Sequence, residues 1–305
     1  MTTELKVNSF KAWLLGIRPT SLAGALMTVF IGCGLAHKVS PETFNWTVAI
    51  LCGLFACCMQ IAANLINDIV DFKRGLDKAD PERIDRIYAN GLITPTATKW
   101  VVAVVLLVGC LIGLGILYLV WDKLLWGGME LVLMGAVVVA CTFLYSTTFA
   151  YKGLGDLAVL LCFGLIPVCG TFYVETFTLN WEAVWASVIA GCMIDTLLII
   201  NNYRDRDEDP EAQKYTSIAI LGEKFGRYLY LAAGLICVLM TVLLYLGGMI
   251  SWVGLLYCTL PYLALHMGSW MTINKVRVGN GLNKVYYESP RNFTILGILL
   301  TIALW

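Results

Sequence analysis

Histidine is almost missing from this chain: His37 and His266 are the two in 305 residues. So few leave a histidine-based metal centre or nucleophile–base pair without support. Charge is scarce as well, at 14% of residues, and 21 Lys and Arg balance 21 Asp and Glu to a formal net charge of zero. No basic excess points to nucleic acid, and no nucleic-acid partner is expected. The 11 cysteines show neither CxxC nor Cys/His ligand spacing. They lie in apolar runs and read as small apolar fillers. What the chain has in quantity is apolar surface: 59% hydrophobic residues and a mean hydropathy of +0.77. A soluble domain cannot hide that much, so an all-α, polytopic membrane protein in contact with lipid is expected. Residues 1–11 are polar, and the first apolar run after them is long enough to span, so no cleaved signal peptide is expected.

A bilayer-crossing helix needs about 20 apolar residues. The runs predict nine transmembrane helices over residues 21–36, 47–66, 100–120, 129–145, 154–174, 181–200, 228–247, 251–270 and 293–305. The last is short, so it starts earlier, near Pro290, or spans incompletely. With the N-terminus cytoplasmic, only Lys38 and Lys123 fall in external loops, leaving 21 − 2 = 19 Lys and Arg inside. That asymmetry supports nine spans with the N-terminus in and the C-terminus out. Residues 1–305 are expected to form one transmembrane domain of two four-helix halves and an added ninth helix, around a central cavity. Gly109 and Gly113, four apart on one run, read as a helix-packing contact.

Two acidic stretches close two of these runs. The first is Asn64-Leu65-Ile66-Asn67-Asp68-Ile69-Val70-Asp71, and the second is Asn201-Asn202-Tyr203-Arg204-Asp205-Arg206-Asp207-Glu208-Asp209. If the runs continue helically, Asn64, Asp68 and Asp71 share one helix face, as do Asn201, Asp205 and Asp209. Both stretches then face the cytoplasm. Carboxylates at this spacing suit Mg²⁺, a hard cation that takes oxygen ligands and bridges to substrate phosphates. Diphosphate leaves easily only once its charge is neutralised, and Lys73, Arg74, Arg83 and Arg86 are candidate donors beside the first stretch.

Asn-Asp-x-x-Asp after a hydrophobic helix, paired with a later Asn-Asn-x-Arg-Asp-x-x-x-Asp, resembles the UbiA-type superfamily of membrane-embedded aromatic prenyltransferases. Arg18-Pro19-Thr20-Ser21-Leu22 resembles the start of that family's first helix. Asn67-Asp68-x-x-Asp71-x-x-x-Gly75-x-Asp77 is similar to the branch that prenylates 1,4-dihydroxy-2-naphthoate in menaquinone synthesis. Tyr151-Lys152-Gly153-Leu154-Gly155-Asp156, Phe163-Gly164, Gly170-Thr171-Phe172-Tyr173, Lys214-x-Thr216 and Leu221-Gly222 look like the same branch.

The resemblance implies a UbiA-type fold in a bacterial inner membrane, with polyprenyl diphosphate and 1,4-dihydroxy-2-naphthoate as substrates and Mg²⁺ as cofactor. It implies Asp68, Asp71, Asp205 and Asp209 as metal ligands and, with Lys214, as the catalytic set. Asn64, Asn67, Asn201 and Asn202 would orient that shell, and Lys73, Arg74, Asp77, Arg86 and Arg204 would bind substrate. The naphthoate ring would attack the allylic cation with loss of CO₂, among side chains that exclude water. Tyr145 and Lys152 are candidates for the naphthoate carboxylate, or else interfacial anchors. Asp195, inside the sixth run, is a cavity-lining base or acceptor contact, or else a structural hydrogen-bond partner.

Other classes are weaker. An ion-coupled transporter would keep its acids near the bilayer midplane, whereas these sit at helix ends. A phosphatidyl-type alcohol transferase would follow Asp-x-x-Asp with Gly and Ala-Arg, where this chain has Phe72. Another UbiA-type acceptor, such as 4-hydroxybenzoate or a haem or chlorophyll precursor, is the alternative within the superfamily.

Overall fold

The computed structural model describes residues 5–75 and 86–305, and every regular element among them is helical. In order these are α1 (Phe10–Ile17), α2 (Pro19–Val39), α3 (Trp46–Lys73), α4 (Pro95–Val120), α5 (Met129–Leu144), α6 (Gly155–Val159), α7 (Ile166–Thr176), α8 (Trp181–Asp205), α9 (Ser217–Leu246), α10 (Trp252–Lys275) and α11 (Asn283–Leu304). A π-helical turn, Tyr145–Phe149, extends α5, and another, Leu160–Leu165, joins α6 to α7 into one span. Local chemistry starts several helices. The side chains of Ser9, Asn45, Thr94, Asn180, Thr216 and Ser251 each accept a backbone N–H of the turn that follows. Each such cap contributes about 1 kcal/mol. Pro19 and Pro95 sit in first turns, where a missing N–H costs nothing.

Seven helices among the described residues are long and apolar enough to cross a bilayer, from α2 to α9 with α6 and α7 counted as one span. They are the first seven expected spans. Helices α10 and α11 have 24 and 22 residues but are less apolar. Two starts differ from the sequence expectation. Helix α9 begins at Ser217 and not near 228: Thr216 Oγ1 accepts the Ala219 N–H, the backbone kinks at Gly222 (φ 86°), and the helix runs on through the Glu223–Arg227 ion pair at 3.6 Å. Helix α11 begins at Asn283 and carries Pro290 inside it, so its polar first turns belong to the helix.

Helix α8 is the centre of the bundle. Ala183, Ala186, Ser187, Ala190 and Gly191 are buried along it, and small residues of this kind let neighbouring backbones come close. The closest approach is to the π-helical turn. A Cβ built on Gly164 would stand 2.5 Å from the Ser187 carbonyl oxygen, and one on Gly191 would stand 3.0 Å from Leu160. Gly164→Val is therefore expected to cost about 1–3 kcal/mol by overpacking, read as a lower thermal midpoint in detergent. An unchanged midpoint would show that the two helices separate freely. Gly109 and Gly113 face Met59 and Phe55 of α3, the packing contact their spacing suggests. Helix α4 turns Trp100, Leu107, Leu111 and Leu114 outward, a lipid-facing stripe.

The two ends of the bundle are chemically distinct. At one end Trp305 stacks on His37 with ring centroids 4.1 Å apart, beside Phe44 and Trp46. There buried Glu175 accepts the Asn45 N–H at 2.7 Å. The C-terminal ends of α3 and α8, with both acidic stretches, lie at the other.

Candidate active site at the acidic helix ends

The first stretch lies wholly within the last turns of α3, so the expected helical face is real. Asn64 is buried and ties three elements together. Its Oδ1 accepts from Gln60 Nε2 at 2.7 Å, and its Nδ2 donates to Ile17 O at 2.8 Å and Ser21 Oγ at 2.7 Å. Asp68, buried, is paired with Arg18, which the αL backbone at φ 54° between α1 and α2 places above it. Asp71 accepts hydrogen bonds from two neutral donors, Tyr151 Oη at 2.5 Å and Asn67 Nδ2 at 3.1 Å.

The second stretch behaves differently from its spacing. Helix α8 stops at Asp205, a turn follows with the Glu208 N–H on the Asp205 carbonyl, and Asp209 opens a short 3₁₀ turn with Pro210. Asp209 thus joins the site from a loop and not from the face shared by Asn201 and Asp205. It is buried, and its Oδ1 accepts from Lys214 Nζ at 3.2 Å. Its Oδ2 is buried with no hydrogen-bond partner. Burial pushes the Asp209 carboxyl up to about 6; Lys214 acts against this, while Asp205 and Asp71 add to it. Asp205 is gripped by Arg204, with Nε on one oxygen at 2.6 Å and Nη2 on the other at 2.7 Å. Arg204 also donates to Asn201 Oδ1 at 2.9 Å and Asn283 Oδ1 at 3.3 Å, and lies over the Tyr286 ring at 4.8 Å.

The two stretches meet. A small polar pocket of about 70 Å³ is lined by Asn67 and Asp71 from α3, by Asn201 and Asn202 from the second stretch and by Lys214 just after it, with Tyr145 and Ser217. Beside it opens a larger apolar cavity of about 350 Å³. Asn67, Tyr145 and Asn201 border both. Arg18, Asn64 and Tyr286 surround the larger cavity on the polar side, while Phe55, Met59, Phe163 and Met134 line its apolar length. Both π-helical turns contribute, through Tyr145 and Phe163, and such turns are frequent where function requires a side chain to be re-aimed.

The remaining expected residues fall into place unevenly. Arg74 donates to Thr147 O at 2.9 Å and stacks over the Tyr151 ring at 3.7 Å. Lys73 and Lys152 are exposed and border neither cavity. Arg86 is half-buried outside both. Asp195 is buried in α8 and borders neither cavity, with Oδ1 unpartnered. Asp77 and Arg83 lie outside the described residues.

The donor set is one of hard oxygens, the carboxylates of Asp71 and Asp209 with the amides of Asn67, Asn201 and Asn202, which suits Mg²⁺. The unpartnered buried oxygen of Asp209 points the same way. Among the described residues no three His, Cys, Asp or Glu side chains are gathered as a ready-made metal cluster, and Asp68 and Asp205 are paired with Arg18 and Arg204.

The UbiA prenyltransferase family model matches residues 25–278. The chain belongs to the UbiA prenyltransferase family. It is 30% identical over 279 residues to the 1,4-dihydroxy-2-naphthoate octaprenyltransferase of Haemophilus influenzae, covering 87% of this chain and 88% of that one. Its fold matches the apo structure of a UbiA homolog from Aeropyrum pernix K1, with TM-score 0.70, 16% identity, and 92% and 98% of the two chains covered. It also matches a UbiA homolog from Archaeoglobus fulgidus bound to GPP and Mg²⁺, with TM-score 0.62, 14% identity, and 95% and 99% covered.

Sequence reasoning about this UbiA prenyltransferase missed four contributors to the site: Arg18, Tyr151, Asn283 and Tyr286. Tyr151 adjoins Lys152, the candidate for the naphthoate carboxylate or an interfacial anchor, and it is Tyr151 that reaches into the site, to Asp71. Burial and the Asp71 carboxylate push the Tyr151 phenol up from its ordinary value, so it remains a hydrogen-bond donor.

Proposed function

We propose that the chain transfers a polyprenyl group from polyprenyl diphosphate to 1,4-dihydroxy-2-naphthoate, releasing diphosphate and CO₂, at the cytoplasmic face of a bacterial inner membrane. The observation that carries this reading is the polar pocket in which both acidic stretches meet, beside an apolar cavity of about 350 Å³ that borders it through Asn67, Tyr145 and Asn201. The naphthoate assignment draws on the motif resemblance and on the Haemophilus relative. The cytoplasmic assignment draws on the Lys and Arg asymmetry.

Asp68, Asp71, Asp205 and Asp209 would hold Mg²⁺, which supplies charge neutralisation to a departing diphosphate. Lys214 lines the pocket and Arg204 donates to its Asn201, so both would take diphosphate oxygens, and Asn67 and Asn201 sit where the head group would pass into the apolar cavity. The allylic carbon–oxygen bond breaks with its electron pair going to the diphosphate. The ring carbon that bears the carboxylate forms the new carbon–carbon bond, and loss of CO₂ returns an electron pair to the ring. Phe55, Met59 and Phe163 keep water from the allylic cation, whose hydrolysis competes with transfer.

The test is an acceptor panel with one radiolabelled prenyl diphosphate and membranes containing this chain. Labelled product with 1,4-dihydroxy-2-naphthoate in preference to 4-hydroxybenzoate is the expected result. The reverse preference moves the assignment to another UbiA acceptor, and transfer to neither removes it.

A further inference from the structure

The first turns of α11 carry residues that no motif announces. Asn283 and Tyr286 are three apart, so they share a helix face, and that face is turned to the end of α8. Asn283 Oδ1 accepts from Arg204 Nη1 at 3.3 Å, and the Arg204 guanidinium lies over the Tyr286 ring at 4.8 Å. Two turns further on, on the same face, stands Phe293, packed beside Gly24 of α2. Tyr286 and Phe293 both border the large cavity, next to Asn201. Helix α11 therefore lays two aromatic rings along one wall of the chamber, starting where the acidic stretches meet.

We infer that this wall is where the aromatic acceptor is held, with Tyr286 as the residue that joins acceptor recognition to the setting of Arg204. The inference rests on the prenyltransferase reading above and goes beyond it by naming the acceptor side of the chamber. A flat, electron-rich ring gains most from offset or edge-on contact with other rings, and Tyr286 and Phe293 offer such contacts within reach of the polar pocket. The rest of the lining, with Met59, Ile116, Leu131 and Met134 beside Phe55 and Phe163, fits an isoprenoid tail, and Tyr286 is the ring in this lining that lies under Arg204. Tyr286 has a second task. Its ring and Asn283 fix the guanidinium that grips both oxygens of Asp205. Losing the ring should therefore weaken acceptor binding first and disturb Arg204 second, while leaving the tail groove intact.

The experiment compares Tyr286→Leu and Tyr286→Phe in purified full-length protein, varying acceptor and prenyl diphosphate separately. The acceptor is whichever of 1,4-dihydroxy-2-naphthoate and 4-hydroxybenzoate the unmutated protein prenylates. Which one it is decides the functional reading; the split in KM decides this inference. For Tyr286→Leu the acceptor KM should rise about tenfold, the scale of losing an aromatic or cation–π contact. The prenyl diphosphate KM should rise less, by about two- to threefold through the loosened Arg204, and Tyr286→Phe should restore the acceptor KM; equal rises in both KM values would overturn the inference. A rise confined to the prenyl diphosphate KM, or no change in either, would overturn the inference. So would Tyr286→Phe behaving like Tyr286→Leu, since the hydroxyl and not the ring would then matter. Should Tyr286→Leu fail to fold, Phe293→Leu gives the same reading deeper along the wall: acceptor KM raised, or the inference lost.

Discussion

Asp68→Ala and Asp205→Ala are each expected to remove prenyl transfer, lowering kcat/KM roughly 10³-fold in protein that still inserts and remains monodisperse. The two aspartates come from helices far apart in the chain, and each is already matched to a guanidinium, Asp68 to Arg18 and Asp205 to Arg204. Removing either carboxylate takes a metal ligand from the proposed site and also takes an ion-pair partner from an arginine. For Asp68 a stability cost accompanies the loss. Its side chain is 5% exposed, and breaking a buried ion pair costs about 3–5 kcal/mol, less here because Arg18 is 36% exposed. Asp205, at 28% exposed, should cost less stability for the same loss of turnover. Asp207→Ala is the control. It lies in the same stretch but is 74% exposed, in a surface pair with Arg206 at 3.6 Å, and should keep activity within about twofold. Normal turnover in Asp68→Ala or Asp205→Ala would remove the metal-site reading.

The spans and the two acidic stretches are legible in the sequence for a physical reason. A membrane helix must be apolar for most of its length, so polar residues at its end stand out, and the spacing of Asn64, Asp68 and Asp71 translates directly into a helix face. Three features are hidden because they depend on partners. The first turns of α11 read as a polar loop, since nothing in Asn283, Tyr286 or Asn292 says that α8 and α10 are there to receive them; Asn292 Nδ2 reaches Ser269 Oγ at 3.3 Å and Asn283 reaches Arg204. The end of α8 at Asp205 is hidden because Arg206, Asp207 and Glu208 would be equally at home in another helical turn. The direction of Asp195 is hidden because α8 is buried on all sides, so apolar periodicity cannot tell its cavity face from its packing face. The bordering residues Ile194, Leu197, Leu198 and Asn201 mark that face, and Asp195 is not on it.

Stripping divalent ions with excess EDTA should abolish turnover, and added Mg²⁺ should restore it. The reason is a charge count at the site. Asp68 is matched by Arg18, Asp205 by Arg204 and Asp209 by Lys214, so three cations are already set against three carboxylates. The fourth, Asp71, accepts its two hydrogen bonds from the neutral groups of Tyr151 and Asn67. Among the described residues, then, one of the four carboxylates accepts from neutral donors alone before any substrate arrives. A multiply charged diphosphate entering a pocket lined by Asp71, Asn202 and Lys214 meets repulsion from the Asp71 carboxylate, and at the low effective dielectric of a half-buried pocket such repulsion is strong. Divalent cations supply the missing positive charge, and they also give Asp209 Oδ2, buried without a partner, something to bind. The same count predicts that prenyl diphosphate binding itself, measured directly by retention of labelled substrate, fails in EDTA along with turnover. Full binding in EDTA with only the chemical step lost would mean that Arg18, Arg204 and Lys214 change partners and hold the diphosphate unaided, and the charge argument would then be wrong.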